Sequence, residues 1–407
     1  VVTIAPERAQ VRRSRRVSVA MATAGVASFA LLYAPQPLLP QLAAEFALDP
    51  GRASLAVSVA TGALAIAVLP FAVLSELVGR RPIIVASVLS SAVLGLVLPF
   101  VSSFELLLAL RVLQGIAIAG FPAVAAAYLM EQLGKKGVAA AVGMMIAGNT
   151  IGGMSGRLAS GFTTDLLGWH GALAVVAVLS LLCALLTVVA LPPRDPGDEP
   201  ARDGPVRERL RGVVAGIGVA LRQPVLLAQY AVALLAMGAF VGLYNAAGFR
   251  LTGEPLGLSP AVASLVFLAY AMGSVSSATA GRLVNRLGRR RSLGLALTTT
   301  IAGAALTLPN SLPLVVAGFL VLTAGFFAAH AVANGWAAAE APEGARGQAS
   351  GLYTLAYYLG SSVGGTLGSI VYGHAGWGWL VAVVTTWLAL AMLSCLPRPR
   401  AVRRRRG

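Results

Sequence analysis

The stretch "AVLSELVGRRPII" (Ala72–Ile84) returns in altered form as "GRLVNRLGRRRSL" (Gly281–Leu293). The shared Gly-Arg-Arg begins at Gly79 and again at Gly288, 209 residues further on. Apolar runs flank each copy, so each reads as a short basic turn between two hydrophobic segments. A second pair, "GNTIGG" (Gly148–Gly153) and "GSSVGG" (Gly360–Gly365), is offset by 212 residues. Similar offsets at two places imply an internal duplication.

Composition says what solvent this duplicated chain is built for. Of its 407 residues, 57% are hydrophobic and only 11% are charged, against roughly 25% charged in a soluble globular protein. Mean hydropathy is +0.81. In water, such a chain would leave large apolar patches exposed and would aggregate. Lipid is the solvent that fits. Cys183 and Cys395 both sit inside apolar runs, outside any CxxC or metal-ligand spacing, and read as small core residues.

A helix needs roughly 20 apolar residues to cross the hydrocarbon. Twelve such runs are present, at about 17–39, 53–75, 82–101, 105–130, 138–160, 170–191, 224–248, 260–281, 292–308, 313–335, 348–372 and 376–396. The first is long and follows a basic arm, so it reads as a membrane span rather than a cleaved leader. Helices are expected throughout, because lipid offers no partner to an open strand edge.

The polar gaps between spans alternate in charge. All but four of the 31 Lys and Arg residues fall in the N-terminal arm, the even-numbered gaps or the C-terminal tail, including Arg8, Arg80, Arg81, Lys135, Lys136, Arg194, Arg202, Arg346 and Arg398. The exceptions are Arg52, Arg111, Arg157 and Arg250. All the basic gaps lie on one side, which by the positive-inside rule places both termini in the cytoplasm of a multi-pass protein of the cell (inner) membrane. The net charge of +16 is therefore a topology signal spread over seven segments. It is not a basic groove with interleaved aromatics, and nucleic acid is not an expected partner.

The longest polar stretch runs from Pro192 to about Gln223 and is rich in Pro and charge. It divides the chain into a first six-helix half (1–191), a linker (192–223) and a second six-helix half with a basic tail (224–407). Within the linker, Val206, Leu210, Val213, Val214, Ile217 and Leu221 recur at helical spacing beside Arg207, Arg209 and Arg211. That pattern suits a helix lying in the membrane interface, with an ordinary tether as the alternative. The expected fold is an all-α membrane protein of twelve transmembrane helices in two pseudo-symmetric halves, a plan that puts a binding site near the midplane between them.

The twelve spans, the central break and the paired loops together resemble the major facilitator superfamily. "FALLYAPQPLLPQL", "GNTIGGMSGRLASG", "GFFAAHAVANGW" and "GQASGLYTLAYYLGSSVGGTLG" look like bacterial inner-membrane permeases of the arabinose-efflux and drug-efflux group. The family's loop signature, G-x-L-x-D-R-x-G-R-R, matches the second copy at Gly281, Leu283, Arg286, Gly288, Arg289 and Arg290, with Asn285 in the place of the acid. The first copy keeps an acid, Glu76, with Gly79, Arg80 and Arg81, while Ala72 and Leu77 depart from the pattern. Glycine permits a tight turn at positive φ. An acid at a helix end within reach of arginines can latch one conformation and release it in another. Plain charge anchoring is the alternative.

Arg111, Gln114 and Gly115 match the family's R-x-x-Q-G motif of the fourth helix, which the resemblance links to proton coupling. A buried Arg costs at least ~2.5–3.5 kcal/mol at mid-membrane, so Arg111 should have partners or else snorkel outward. In the fifth helix, Gly148, Gly152 and Gly153 fit the exporter pattern G-P-x-x-G-G, but Asn149 stands where that pattern has Pro. The glycines allow close helix approach, and Asn149 offers an amide at mid-helix where substrate could lie.

Candidate cavity residues are Tyr33 and Gln36 beside Pro35 and Pro37, Tyr244 and Asn245, His330 and Asn334 one turn apart, and Tyr357 and Tyr358. His330 can titrate near neutral pH, or serve as a hydrogen-bonded structural residue. No Asp or Glu lies in the middle of a span: Glu45, Glu105 and Glu131 sit at span ends, and Asp165 is expected in an outer gap. A neutral or weakly acidic substrate therefore stands level with a cationic one.

These features lead to a proton-coupled exporter of small organic molecules working by alternating access, as a monomer and without a cofactor. A metabolite or sugar importer or facilitator is the near alternative, and a non-transporting membrane sensor the distant one. With no nucleophile elbow, P-loop or metal-ligand cluster, an enzyme is not expected.

Overall fold

The computed structural model describes residues 4–193 and 206–395, without the side chains at 4–11, 135–136, 139, 206–207 and 209–210. Arg194, Arg202 and the tail from Arg398 lie outside the described residues, as do the side chains of Arg8, Lys135, Lys136, Val206, Arg207, Arg209 and Leu210. The helices are α1 (Ile4–Tyr33), α2 (Leu39–Glu45), α3 (Pro50–Val78), α4 (Arg80–Val97), α5 (Phe104–Ala190), α6 (Val206–Leu221), α7 (Pro224–Thr252), α8 (Pro260–Ser264), α9 (Ala271–Leu287), α10 (Arg289–Leu306), α11 (Leu312–Glu340) and α12 (Arg346–Ser394).

Nine helical stretches among the described residues are long and apolar enough to cross a membrane. Glycines at positive φ subdivide the longest. Gly134 (φ 61°) and Gly168 (φ 64°) break α5 into three segments, and Gly376 (φ 81°) breaks α12 into two. Gly134 already separates two of the nine stretches, so the breaks at Gly168 and Gly376 and the shorter α10 are consistent with the twelve runs read from the sequence. The protein is an all-α membrane protein. Large apolar side chains stand exposed around it, among them Ile66, Phe100, Leu166 and Val189, as a lipid-facing surface requires.

Two changes from the expected boundaries have physical causes. The first span ends at Tyr33, not near 39, because Pro35 and Pro37 cannot supply backbone N–H donors. The chain passes through a 3-10 turn (Gln36–Leu38) into α2. The fifth span runs on to the Gly168 break, so Asp165 lies on its last turn rather than in a gap. Its Oδ2 accepts from the Ala261 backbone N–H at 3.3 Å.

Buried side chains form two clusters. One spans Val17 to Leu191 and takes in Tyr358; the other spans Ala220 to Ala391. The duplication is visible inside them. A Cβ at Gly148, Gly152 or Gly156 would lie 2.2–2.6 Å from the backbone of Ala22, Val26 or Ala30 on α1. A Cβ at Gly360, Gly364 or Gly368 would lie 2.2–2.7 Å from Leu234, Gly238 or Gly242 on α7. Each glycine and each partner recurs 212 residues later, so one helix-on-helix contact has been written twice.

The most extensive contact between the two clusters is the α3–α12 seam, from Pro50 beside Gly373 to Leu69 beside Gly351; midway the Ser362 hydroxyl donates to Ser58 O at 2.7 Å. On the face opposite the basic loops, α5 also meets α8 and the 3-10 turn Leu265–Tyr270, and α2 meets α7. On the same face Arg250 caps the end of α10, donating to Thr307 O (2.6 Å), Leu308 O and Pro309 O, with its guanidinium 4.6 Å from the Trp377 ring.

Candidate functional site

The two signature loops turn where the sequence places them. Gly79 has φ 94° and Gly288 has φ 76°, values that side chains with a Cβ rarely adopt. At the first loop, Arg80 Nη2 donates to Glu76 at 3.1 Å, and Nη1 forms an ion pair with Glu131 on α5. At the second, Arg289 pairs with Glu340 on α11 at 2.8 Å. Both Arg–Glu pairs are separated by 51 residues, so the duplication copied the ion pair as well as the turn. Sequence reading placed Glu131 only at a span end and missed Glu340, although the 209-residue offset carries one acid onto the other. Arg81 departs from the expected pairing: its Nε donates to Pro192 O at 3.0 Å and not to Glu76. Gly281, Asn285, Arg286 and Arg290 are exposed.

Arg111 is 1% exposed and bonded on three sides. Nε donates to Ala56 O (2.8 Å), Nη1 to Leu31 O (3.0 Å) and to Gln114 Oε1, and Nη2 to Leu32 O (2.6 Å). The Leu31 carbonyl needs that donor because Pro35, four residues on, has no N–H. Gln114 passes the tie onward to Ser91 O on α4 at 3.1 Å, while Gly115 lets α5 close against Ala60. The motif Arg111, Gln114 and Gly115 therefore stitches α1, α3, α4 and α5 together around the proline break.

Arg157 is equally buried, yet it faces the other cluster. Its Nε donates to Gln36 Oε1 (2.5 Å), Nη1 to Gly153 O (2.7 Å) and Nη2 to the Tyr270 hydroxyl (3.2 Å). Tyr33 and Tyr270 flank the guanidinium at 4.0 and 4.5 Å, with Phe267 at 5.4 Å. Gln36 Nε2 in turn donates to Asn245 Oδ1 at 2.7 Å. This bond ties the 3-10 turn after α1 to α7, and so the first half to the second. Sequence reading found Tyr33, Gln36 and Asn245. It noted Arg157 only as a deep charge and missed Tyr270.

The remaining candidates follow an aromatic row that begins in the second cluster and ends at Tyr358, which packs with the first. Tyr244 bonds Thr323 at 2.7 Å and contacts Tyr270 and Phe240. Phe240 stacks on Phe326, which stacks on His330. His330 Nδ1 lies 3.0 Å from the Tyr353 hydroxyl, and its ring is 4.7 Å from that of Tyr357. Tyr358 packs T-shaped on Tyr357, and Asn334 is exposed. Asn149 stands apart from this row. Its Oδ1 is buried against Gly25 of α1 with no hydrogen-bond partner among the described residues, so the amide lies within the first cluster and not between the two.

Two helix clusters, a repeated turn with its ion pair, and a buried polar junction where they meet define a membrane transporter fold. The chain belongs to the Major Facilitator Superfamily, whose profile matches residues 21–252 and 243–407. It is 39% identical to the inner membrane transport protein YnfM of Escherichia coli, over 93% of this chain and 89% of that one. It is 36% identical to the MFS-type transporter YybF of Bacillus subtilis, over 93% and 92%. Among solved structures, the inward-facing bacterial homologue of the human lysosomal transporter Spinster superposes with a TM-score of 0.78 at 18% identity, covering 94% of this chain and 96% of that one.

Proposed function

We infer that this transporter is a proton-coupled exporter of small organic molecules that works by alternating access as a single chain. The observation that carries this reading is the junction between the clusters. Arg157–Tyr270, Gln36–Asn245, Ser362–Ser58 and Asp165–Ala261 are separate polar bonds, set among apolar contacts such as Leu69 on Gly351 and Tyr358 on the first cluster. Polar bonds of this kind can exchange partners as the halves move. Residues 1–191 and 224–407 are the two moving bodies, with 192–223 as their tether. The basic face is cytoplasmic by charge, so the junction closes the outer side and the substrate enters from the cytoplasm.

The paired loops govern the inner side, with Glu76, Arg80, Glu131, Arg289 and Glu340 as the groups that exchange partners. Export, rather than import, rests on the resemblance of the α5 and α12 motifs to efflux permeases. The test uses purified protein in liposomes with a trapped pH dye and a panel of cationic, neutral and acidic compounds. Protein-dependent proton movement with one chemical class is the expected result. Substrate crossing with no proton movement would remove the coupling, and binding without crossing would remove transport.

A further inference from the structure

We propose that Arg157 is the recognition point for the carboxylate of a small organic acid, with an aromatic acid the best fit. This rests on the transporter reading above and names its substrate class.

The two deep arginines make the case by contrast. Arg111 spends four hydrogen bonds on three backbone carbonyls and one glutamine, all within the first cluster. It holds the fold together and keeps a single N–H, on Nη2, outside these bonds. Arg157 makes three bonds, to Gln36, Gly153 O and Tyr270. A guanidinium carries five N–H donors, so two on the Nη atoms find no acceptor among the described residues. All three of its acceptors are neutral, and no Asp or Glu occupies the middle of any span. A cation in this position lacks a counter-charge.

The amide relay adds a second, independent observation. Arg157 can only donate, so the Gln36 oxygen must face it. The Gln36 nitrogen then faces Asn245, and the Asn245 oxygen accepts. The relay therefore ends on Asn245 Nδ2, a donor that is fully buried and without a partner among the described residues. The Arg157 and Asn245 groups left over are donors, and the buried Ser58 and Ser361 hydroxyls, which can donate or accept, bring no charge to answer the guanidinium. The missing component is an acceptor with negative charge and two oxygens, for which the guanidinium fork is the natural partner. Tyr33, Tyr270 and Phe267 supply ring faces beside it, which suits a planar aromatic body. A cationic substrate would meet an unneutralised arginine.

Location links recognition to movement. Arg157 belongs to the first cluster and Tyr270 to the second, so their bond helps hold the junction closed. A carboxylate offers Arg157 a stronger acceptor than a tyrosine hydroxyl. Its arrival releases Tyr270, and the outer side is free to open with the acid in place.

The experiment measures thermal stabilisation of the detergent-purified full chain by three matched pairs: benzoate and benzamide, nicotinate and nicotinamide, salicylate and salicylamide. At least one acid should stabilise the wild type saturably while its amide does not. Arg157→Gln should weaken that response at least about tenfold, the effect of losing a charge-assisted hydrogen bond, and Arg157→Lys should retain part of it. The proposal is overturned if no acid stabilises, if acids and amides act alike, or if Arg157→Gln responds as wild type does. Should Arg157→Gln fail to fold, Tyr270→Phe decides. Removing the competing hydroxyl should tighten acid binding, and unchanged or weaker binding overturns the proposal. Movement of only neutral or cationic compounds in liposomes would remove the acid and leave the transporter. Acid binding with no movement would do the reverse.

Discussion

At the scale of single residues, the same side chain performs two jobs according to what surrounds it. Arg111 was legible as a buried arginine needing partners, but which partners depended on Pro35 four residues after Leu31, a coincidence that only the folded chain displays. Arg111→Ala would strand the buried carbonyls of Leu31 and Leu32 and remove the second donor to Ala56 O. Each stranded carbonyl costs on the order of 1–3 kcal/mol, so the variant should show a large drop in melting temperature alongside lost transport. Full thermal stability with transport abolished would instead place Arg111 in the coupling step. His330→Ala is the complementary case. The ring contacts Tyr353 and Tyr357 at the edge of the aromatic row, so its removal should shift the pH optimum of transport while the protein still folds. An unchanged profile would make His330 a packing residue. Tyr270 left no mark in the sequence, since a tyrosine in an apolar run looks like any other until the chain across the junction is placed against it.

Helices show where repeat spacing is enough and where it is not. The 212-residue offset between Gly148–Gly153 and Gly360–Gly365 made the duplication readable. The partner faces on α1 and α7 were not readable, because a glycine announces close approach without saying to what. Gly364→Leu should disrupt the α12–α7 contact, where even a Cβ would fall 2.2 Å from Gly238. Overpacking of this kind costs typically 1–3 kcal/mol or more, and lower yield with a lower melting temperature should follow. Gly281→Leu, at a site with no neighbour within 4 Å, is the control that should leave both unchanged. The loop ion pairs behave differently. Arg289 and Glu340 are each more than 40% exposed on their side chains, where a pair contributes about 0–1 kcal/mol. Glu340→Gln should therefore leave the melting temperature almost unmoved. Any effect should appear in the transport rate, and a large stability loss would assign the pair to folding.

For the molecule as a whole, charge placement and span counting gave the architecture, while the way the two clusters touch came only from three-dimensional contact. A Cβ at Gly62 would stand 3.4 Å from the Ser362 Cβ, close to the 3.5–4.5 Å of a disulfide. With Cys183 and Cys395 replaced by serine, a Gly62→Cys, Ser362→Cys double variant should cross-link on oxidation and stop transport, and a reductant should restore it. Continued transport by the oxidised protein would show that this seam does not separate during the cycle.

The glycine contact that recurs 212 residues on has a historical reading. Ala22, Val26 and Ala30 face Gly148, Gly152 and Gly156, and the same three rungs stand in the second half on Leu234, Gly238 and Gly242. A ladder present in both copies was already complete in the single unit that was copied. The ancestor therefore held its first and fifth helices together before it had a twin to lean on. The junction between the halves carries no such inheritance, because its partners could be chosen only after the copies met.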